Sequence, residues 1–90
     1  RAKRRGYLRN VAVAIGNAYV GSGDLQTIAA LNGALHNDPE PLVRGHVAWA
    51  LGRIGGEAAR QALNEAAQLE ADPWVQDEFR LACSNIKYFS

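Results

Sequence analysis

The stretch Leu42-Val43-Arg44-Gly45-His46-Val47-Ala48-Trp49-Ala50-Leu51-Gly52-Arg53-Ile54-Gly55 decides the fold, because it recurs. An earlier stretch, Leu8-Arg9-Asn10-Val11-Ala12-Val13-Ala14-Ile15-Gly16-Asn17, is its first copy. Val11, Ala12, Ala14, Ile15 and Gly16 return 36 residues later as Val47, Ala48, Ala50, Leu51 and Gly52. A weaker third copy follows after 32 more residues, where Glu40-Pro41, Val43, Ala50 and Ile54 return as Asp72-Pro73, Val75, Ala82 and Ile86. Self-similarity at this period marks stacked helical units, each unable to bury its apolar face alone. That architecture favours a binding or scaffolding surface over a self-contained catalytic fold.

Apolar spacing around the copies predicts five helices. The first spans about Lys3 to Ala18, with Leu8, Val11, Ala12 and Ile15 as its buried stripe, and Gly21-Ser22-Gly23 breaks the chain after it. The second spans about Asp24 to His36, with Leu25, Ile28, Leu31 and Leu35 inward. Asn37-Asp38-Pro39 ends it. Asp38 can cap free N–H groups, and Pro39 and Pro41 both fit a first helical turn. The third covers about Glu40 to Ile54, with Val43, Val47, Ala50, Leu51 and Ile54 on one face, and Gly55-Gly56 stops it. The fourth covers about Glu57 to Glu70, with Ala59, Leu63, Ala66 and Ala67 as contacts. Asp72-Pro73 repeats the cap-and-proline device before a fifth, about Pro73 to Tyr88, with Val75, Phe79, Ala82 and Ile86 inward. The fold class is all-α. Short connections make antiparallel pairs, and the pairs stack into a short α-solenoid.

Ninety residues fit one domain, here residues 1–90. No apolar run approaches the roughly 20 residues of a membrane span, and no signal peptide is visible. The chain has no Met and begins Arg1-Ala2-Lys3-Arg4-Arg5, which reads as a fragment of a longer protein. Cys83 is the single cysteine, so it forms no internal disulfide and builds no metal or cluster site by itself. Net charge is +1, but Arg1, Lys3, Arg4, Arg5 and Arg9 all precede the first acid, Asp24. From Asp24 onward there are five basic and nine acidic residues. A positive pole on a mildly acidic body points to nucleic acid or another anion; the plainer reading is a solvated helix start.

The pattern carried by Asp38, Pro39, Val43, Arg44, Ala48, Ala50, Leu51, Gly52, Ile54 and Gly55 resembles HEAT-like repeats of the phycobilisome-lyase type. A narrower resemblance rests on Arg5-Gly6, Leu8 through Asn17, and Pro41 through Gly52: these runs are similar to the C-terminal region of the epoxyqueuosine reductase family. It is strongest over residues 5–17 and 41–55 and loose over 56–90. The family reduces epoxyqueuosine to queuosine in tRNA, using cobalamin and two [4Fe–4S] clusters held by a preceding catalytic region. One cysteine cannot ligate such a cluster. The resemblance therefore implies an accessory domain without chemistry of its own, which holds the tRNA anticodon arm beside the catalytic region of the parent chain. It also implies a cytoplasmic location.

The residues that would touch RNA are Lys3, Arg4, Arg5, Arg9, Asn10, Arg44, His46 and Arg53. Arg5 and Arg9 lie one helical turn apart and repel each other by roughly a few tenths of a kcal/mol, which a phosphate between them would relieve. The planar guanidinium suits that partner. Arg44 has a structural alternative: in the repeat type resembled here, this Arg pairs with an Asp opening a helix, so Asp38 or Asp72. His46, Trp49 and Arg53 form a stripe offset from the apolar face, and such groups stack on or bond to nucleotides. Trp49 also has apolar counterparts in Val13 and Leu81, which points to packing between layers. His36 and His46 have the wrong spacing for a helical metal pair. Glu65, Glu70, Asp77 and Glu78 read as spread over exposed faces, with no support for paired-carboxylate catalysis. The competing functional reading is a protein–protein scaffold that binds through apolar residues without RNA.

Overall fold

In a computed structural model of the chain, residues 2–87 are described, with side chains over residues 4–86. The five helices are α1 (Ala2–Ala18), α2 (Leu25–Asn37), α3 (Pro41–Ile54), α4 (Glu57–Leu69) and α5 (Pro73–Lys87). The described residues contain no strand. Their punctuation follows from local chemistry. Asp24 caps α2, its Oδ2 accepting from the Thr27 N–H at 2.9 Å and the Thr27 hydroxyl at 2.6 Å. Those bonds hold its carboxyl below the ordinary carboxylate value. Pro39 does not enter the first turn of α3. A residue before proline is pushed to extended backbone, and both Asp38 (ψ 127) and Glu40 (ψ 119) obey, which leaves Pro41 as the first helical residue. Asp38 Oδ1 instead accepts from the Glu40 N–H at 2.9 Å. At α5 the Asp72 carboxylate accepts from the Trp74 and Val75 N–H groups, as the sequence predicts. Gly55 and Gly56 both take positive φ (76° and 91°), the left-handed region that lets α3 turn into α4 within two residues.

The body measures 37 × 26 × 18 Å, the thickness of two helix layers. A front layer sets α3 between α1 and α5, and a back layer pairs α2 with α4. The recurring small residues explain the front layer. A Cβ placed on Gly16 would lie 3.1 Å from the Ala50 Cα, and one on Gly52 would lie 2.9 Å from the Ala82 Cα. Ala50 and Ala82 are equivalent positions in successive copies, so the same Ala-on-Gly seat is used twice. The first-layer turn also closes the second: the Gly21 N–H donates to the Arg53 carbonyl (2.8 Å) and the Gly23 N–H to the Ile54 carbonyl (3.0 Å).

The predicted faces of α3 and α5 are fully buried. In α1 only Ala12 is; Leu8, Val11 and Ile15 are half-buried, because α1 packs on α3 alone. Leu25 is 69% exposed, contrary to expectation. At 100° per residue it lies roughly 60° from Ile28 and 120° from Leu31, off the stripe that faces the core. Ala62 joins Ala59, Leu63 and Ala66 in the α4 contact, and Ala67 is half-buried. The two ends of the stack differ. On α5, Asp77, Arg80 and Ser84 are exposed and polar, beside an exposed Leu81. On α1, Tyr7, Ala14 and Ala18 are exposed.

Two glycine replacements separate packing from helix propensity. Gly52→Ala is expected to destabilise the fold by about 1–3 kcal/mol, because its Cβ meets backbone that must shift. Gly33→Ala, inside α2 with nothing within 4 Å of its Cβ, is expected to stabilise by about 0.5–1 kcal/mol. Thermal unfolding followed by circular dichroism checks both signs; equal effects would remove the Ala-on-Gly seat as a packing constraint.

Candidate nucleic-acid interface

Arg44 stands at the junction of two layers. Its Nε and Nη2 each donate to one oxygen of the Glu70 carboxylate at 2.9 Å, and its Nη1 donates to the Asp38 carbonyl at 3.0 Å. The side chains are only 15% and 6% exposed. The structural role of Arg44 holds, but the partner is Glu70 rather than the Asp38 or Asp72 carboxylate. Glu70 is correspondingly not an exposed helix-face residue. The cause is register: Glu70 stands 32 residues after Asp38, at the same place in the next copy, where it ends α4. It also accepts from the Asp72 N–H at 3.0 Å. The Arg44 bonds hold the Glu70 carboxyl below its ordinary range, against the opposing effect of burial, and raise Arg44. Gln76, the third-copy counterpart of Arg44, keeps one contact of the set by donating to the Glu70 carbonyl at 2.6 Å.

The first layer makes the same clamp by other means. Leu8 occupies the Arg44 position and cannot bond, but Arg4, one turn earlier, donates to Asp38 Oδ2 at 2.9 Å. Arg5 reaches Glu40 at 3.8 Å. Two members of the expected RNA-binding cluster therefore tie α1 to the start of α3, while their side chains stay about half exposed. Arg9 is exposed, and among the described residues its guanidinium meets only Asn10 Oδ1, at 3.4 Å. The side chain of Lys3 lies outside the described ones. A cleft of about 600 Å³ lies beside the clamp, lined in part by Leu35, His36, Asp38, Arg44, Glu70 and Asp72.

The remaining candidates lie on the front face. Four rows cross it in equivalent positions: Gly6, Leu42 and Trp74; Asn10, His46 and Glu78; Val13, Trp49 and Leu81; Asn17, Arg53 and Asn85. None of these residues is fully buried. Trp49 packs between layers, its Cζ3 lying 2.9 Å from where a Gly16 Cβ would be. Leu81, its counterpart, is 60% exposed, with no further layer over it among the described residues. The Arg53 guanidinium sits 5.4 Å from the Trp49 ring centroid and donates to Asn17 Oδ1 at 3.3 Å. The His46 Nδ1 bonds the Leu42 carbonyl at 2.9 Å. The His46 ring also lies 6.2 Å from that of Trp74. Trp74 was not singled out by sequence reasoning. The signal was Gly45: a Cβ there would overlap the Trp74 ring, so this glycine marks where α5 lays an indole on α3.

Among the described residues no three His, Cys, Asp or Glu side chains converge on a possible metal site, and burial raises the Cys83 thiol above its ordinary value. Among those residues no helix is long and apolar enough to cross a membrane.

Residues 4–83 match the family of HEAT repeats, and the chain belongs to that family. Its particular likeness is to epoxyqueuosine reductase. It is 42% identical over 55 residues to the enzyme of Bacillus anthracis, covering 61% of this chain and 14% of that protein. It is 52% identical over 48 residues to that of Alicycliphilus denitrificans, covering 50% of this chain and 13% of the relative. A crystal structure of a selenomethionine-labelled epoxyqueuosine reductase superposes with a TM-score of 0.75 at 29% identity, over 87% of this chain and 20% of that one. The chain thus spans well under a quarter of the relatives it matches.

The clamp makes stability depend on pH. Glu70 has a folded-state pKa below the ordinary 4.5, so its contribution is complete above about pH 4.5 and is lost as pH falls through the folded value. Glu70→Gln is expected to cost about 1–3 kcal/mol at neutral pH. The gap to the native chain should narrow as pH drops below 4.5. Urea unfolding at stepped pH reads this directly; a gap constant with pH would contradict the assignment.

Proposed function

We propose that this chain is an RNA-holding accessory domain of an epoxyqueuosine reductase, set beside a catalytic region of the same parent protein and working in the cytoplasm on tRNA. The observation that carries this reading is the coincidence of two things. The likeness to the reductase extends over most of the chain, and α1 carries Arg4, Arg5 and Arg9 exposed on a helix without an acid. The reduction itself, and any cobalamin or iron–sulfur cluster it needs, would belong to the parent's other regions. The work of this domain is electrostatic capture of the phosphate backbone by a rigid stack, which positions RNA without reading its sequence.

The expected RNA is a tRNA anticodon stem-loop. Its binding to the 90-residue chain should saturate at low salt and weaken steeply as salt rises, because each neutralised phosphate releases counterions. The pair Arg5→Glu with Arg9→Glu should abolish binding and leave the helical signal intact. Unchanged binding by that variant would remove α1 from the interface. A protein scaffold is the second reading, favoured by the exposed Tyr7, Ala14 and Ala18 on α1; binding to the catalytic region that is insensitive to salt, with no RNA affinity, would select it.

A further inference from the structure

Arg53 differs from most arginines of the front layer. Arg4, Arg5, Arg44 and Arg80 each pair with a carboxylate. Among the described residues Arg53 and Arg9 pair with none, and of the two only Arg53 carries a buried donor without an acceptor. The Arg53 guanidinium carbon lies over the Trp49 ring, 5.4 Å from its centroid, and among the described residues the group donates only to the Asn17 amide, while its Nε–H is buried with no acceptor. A desolvated donor without a partner is unfavourable, and in native structures it calls for an explanation. Beside it opens a pocket of about 150 Å³ lined by Val20, Gly52, Arg53 and Asn85. The arginine is thus pre-ordered by an aromatic ring, flanked by the Asn17 and Asn85 amides, and short of one strong acceptor.

We propose that this notch is the anchoring subsite for one phosphodiester of a single-stranded RNA loop, and that Trp74 is the platform on which an adjoining base stacks. The inference rests on the RNA-holding reading and deepens it by naming the contacts. A phosphate oxygen pair matches the edge of a guanidinium, and a small side-chain rotation turns the Nε–H toward it. Trp74 takes the base because it is 42% exposed, steadied against the His46 ring, and an indole face accepts any base. Asp77 and Glu78 follow it on α5 and would repel a phosphate there, whereas Arg53 has no carboxylate partner. Charge therefore sorts the two ends of the site. Gly45, beneath Trp74, and Arg53 are eight residues apart on one helix, about 12 Å along the axis at 1.5 Å per residue. Bases in unstacked loops are free to splay across such a span.

The test titrates a fluorescent tRNA anticodon stem-loop into the native chain, Arg53→Gln, Arg53→Lys, Trp74→Ala and the control Arg80→Gln, each at four salt concentrations. Unfolding curves confirm that every variant is folded. Arg53→Gln should weaken binding about tenfold and lower the slope of log affinity against log salt by about one phosphate. Arg53→Lys should keep the slope and recover affinity only in part. Trp74→Ala should weaken binding about tenfold with the slope unchanged, since stacking releases no counterion. Arg80→Gln should match the native chain. If the native chain binds and the Arg53 and Trp74 variants bind equally well, the notch is overturned and the RNA-holding reading stands. If the folded native chain does not bind at low salt, both fall for this domain.

Discussion

The close approach of three parallel helices is the constraint on which the rest of this structure depends. Ala50 seats on Gly16, and Ala82 seats on Gly52. Helices normally pack at 8–10 Å according to the side chains between them, and these small pairs hold the front layer near the tight end. Everything useful follows from that spacing. It buries Val43, Val47, Leu51 and Ile54 behind α3, and it brings Asn17 to Arg53 across the front. The space left open by Gly16 and Gly45 lets two indoles lie across neighbouring helices. A methyl group at Gly16 or Gly52 would meet the backbone of the next front helix and push the layers apart, while one at Gly45 would displace the Trp74 indole.

Charge then fixes the layers at one edge. Arg44 grips Glu70, and Arg4 grips Asp38. Asp38 and Glu70 hold equivalent places where a back helix hands over to a front one. The repeat conserves the geometry of this clamp while drawing the cation from different positions. Arginines that look like a nucleic-acid patch in sequence are thus shared between holding the stack and facing solvent. Arg9 and Arg53, which have no such duty, are the free donors.

Helix number, ends and the buried faces of α3 and α5 were legible because apolar period, Asp-Pro caps and Gly-Gly stops all agreed. Leu25 was misplaced because its three-residue spacing to Ile28 looks helical while its angle falls off the stripe that Ile28, Leu31 and Leu35 share. Glu70 was missed because an acid at a helix end reads as solvent-facing unless the register of the next layer is known. The site was legible only in outline. His46, Trp49 and Arg53 show as a stripe, but the sequence cannot say which arginine lacks an acid, since pairing is a tertiary fact. Trp74 was invisible for a related reason: its counterparts are Gly6 and Leu42, so no chemical pattern repeats along its row.

In the proposed function, RNA meets the front of α1, α3 and α5, with the back helices α2 and α4 as support. The most direct measurement is the pattern of backbone and indole NMR shifts in the ¹⁵N-labelled chain as a tRNA anticodon stem-loop is added. Movement is expected at Arg9, Asn17, Arg53 and the Trp49 and Trp74 indoles, with Ala30, Gln61 and Glu65 on the back helices unmoved. Shifts concentrated on α2 and α4, or none with the RNA in excess, would contradict it.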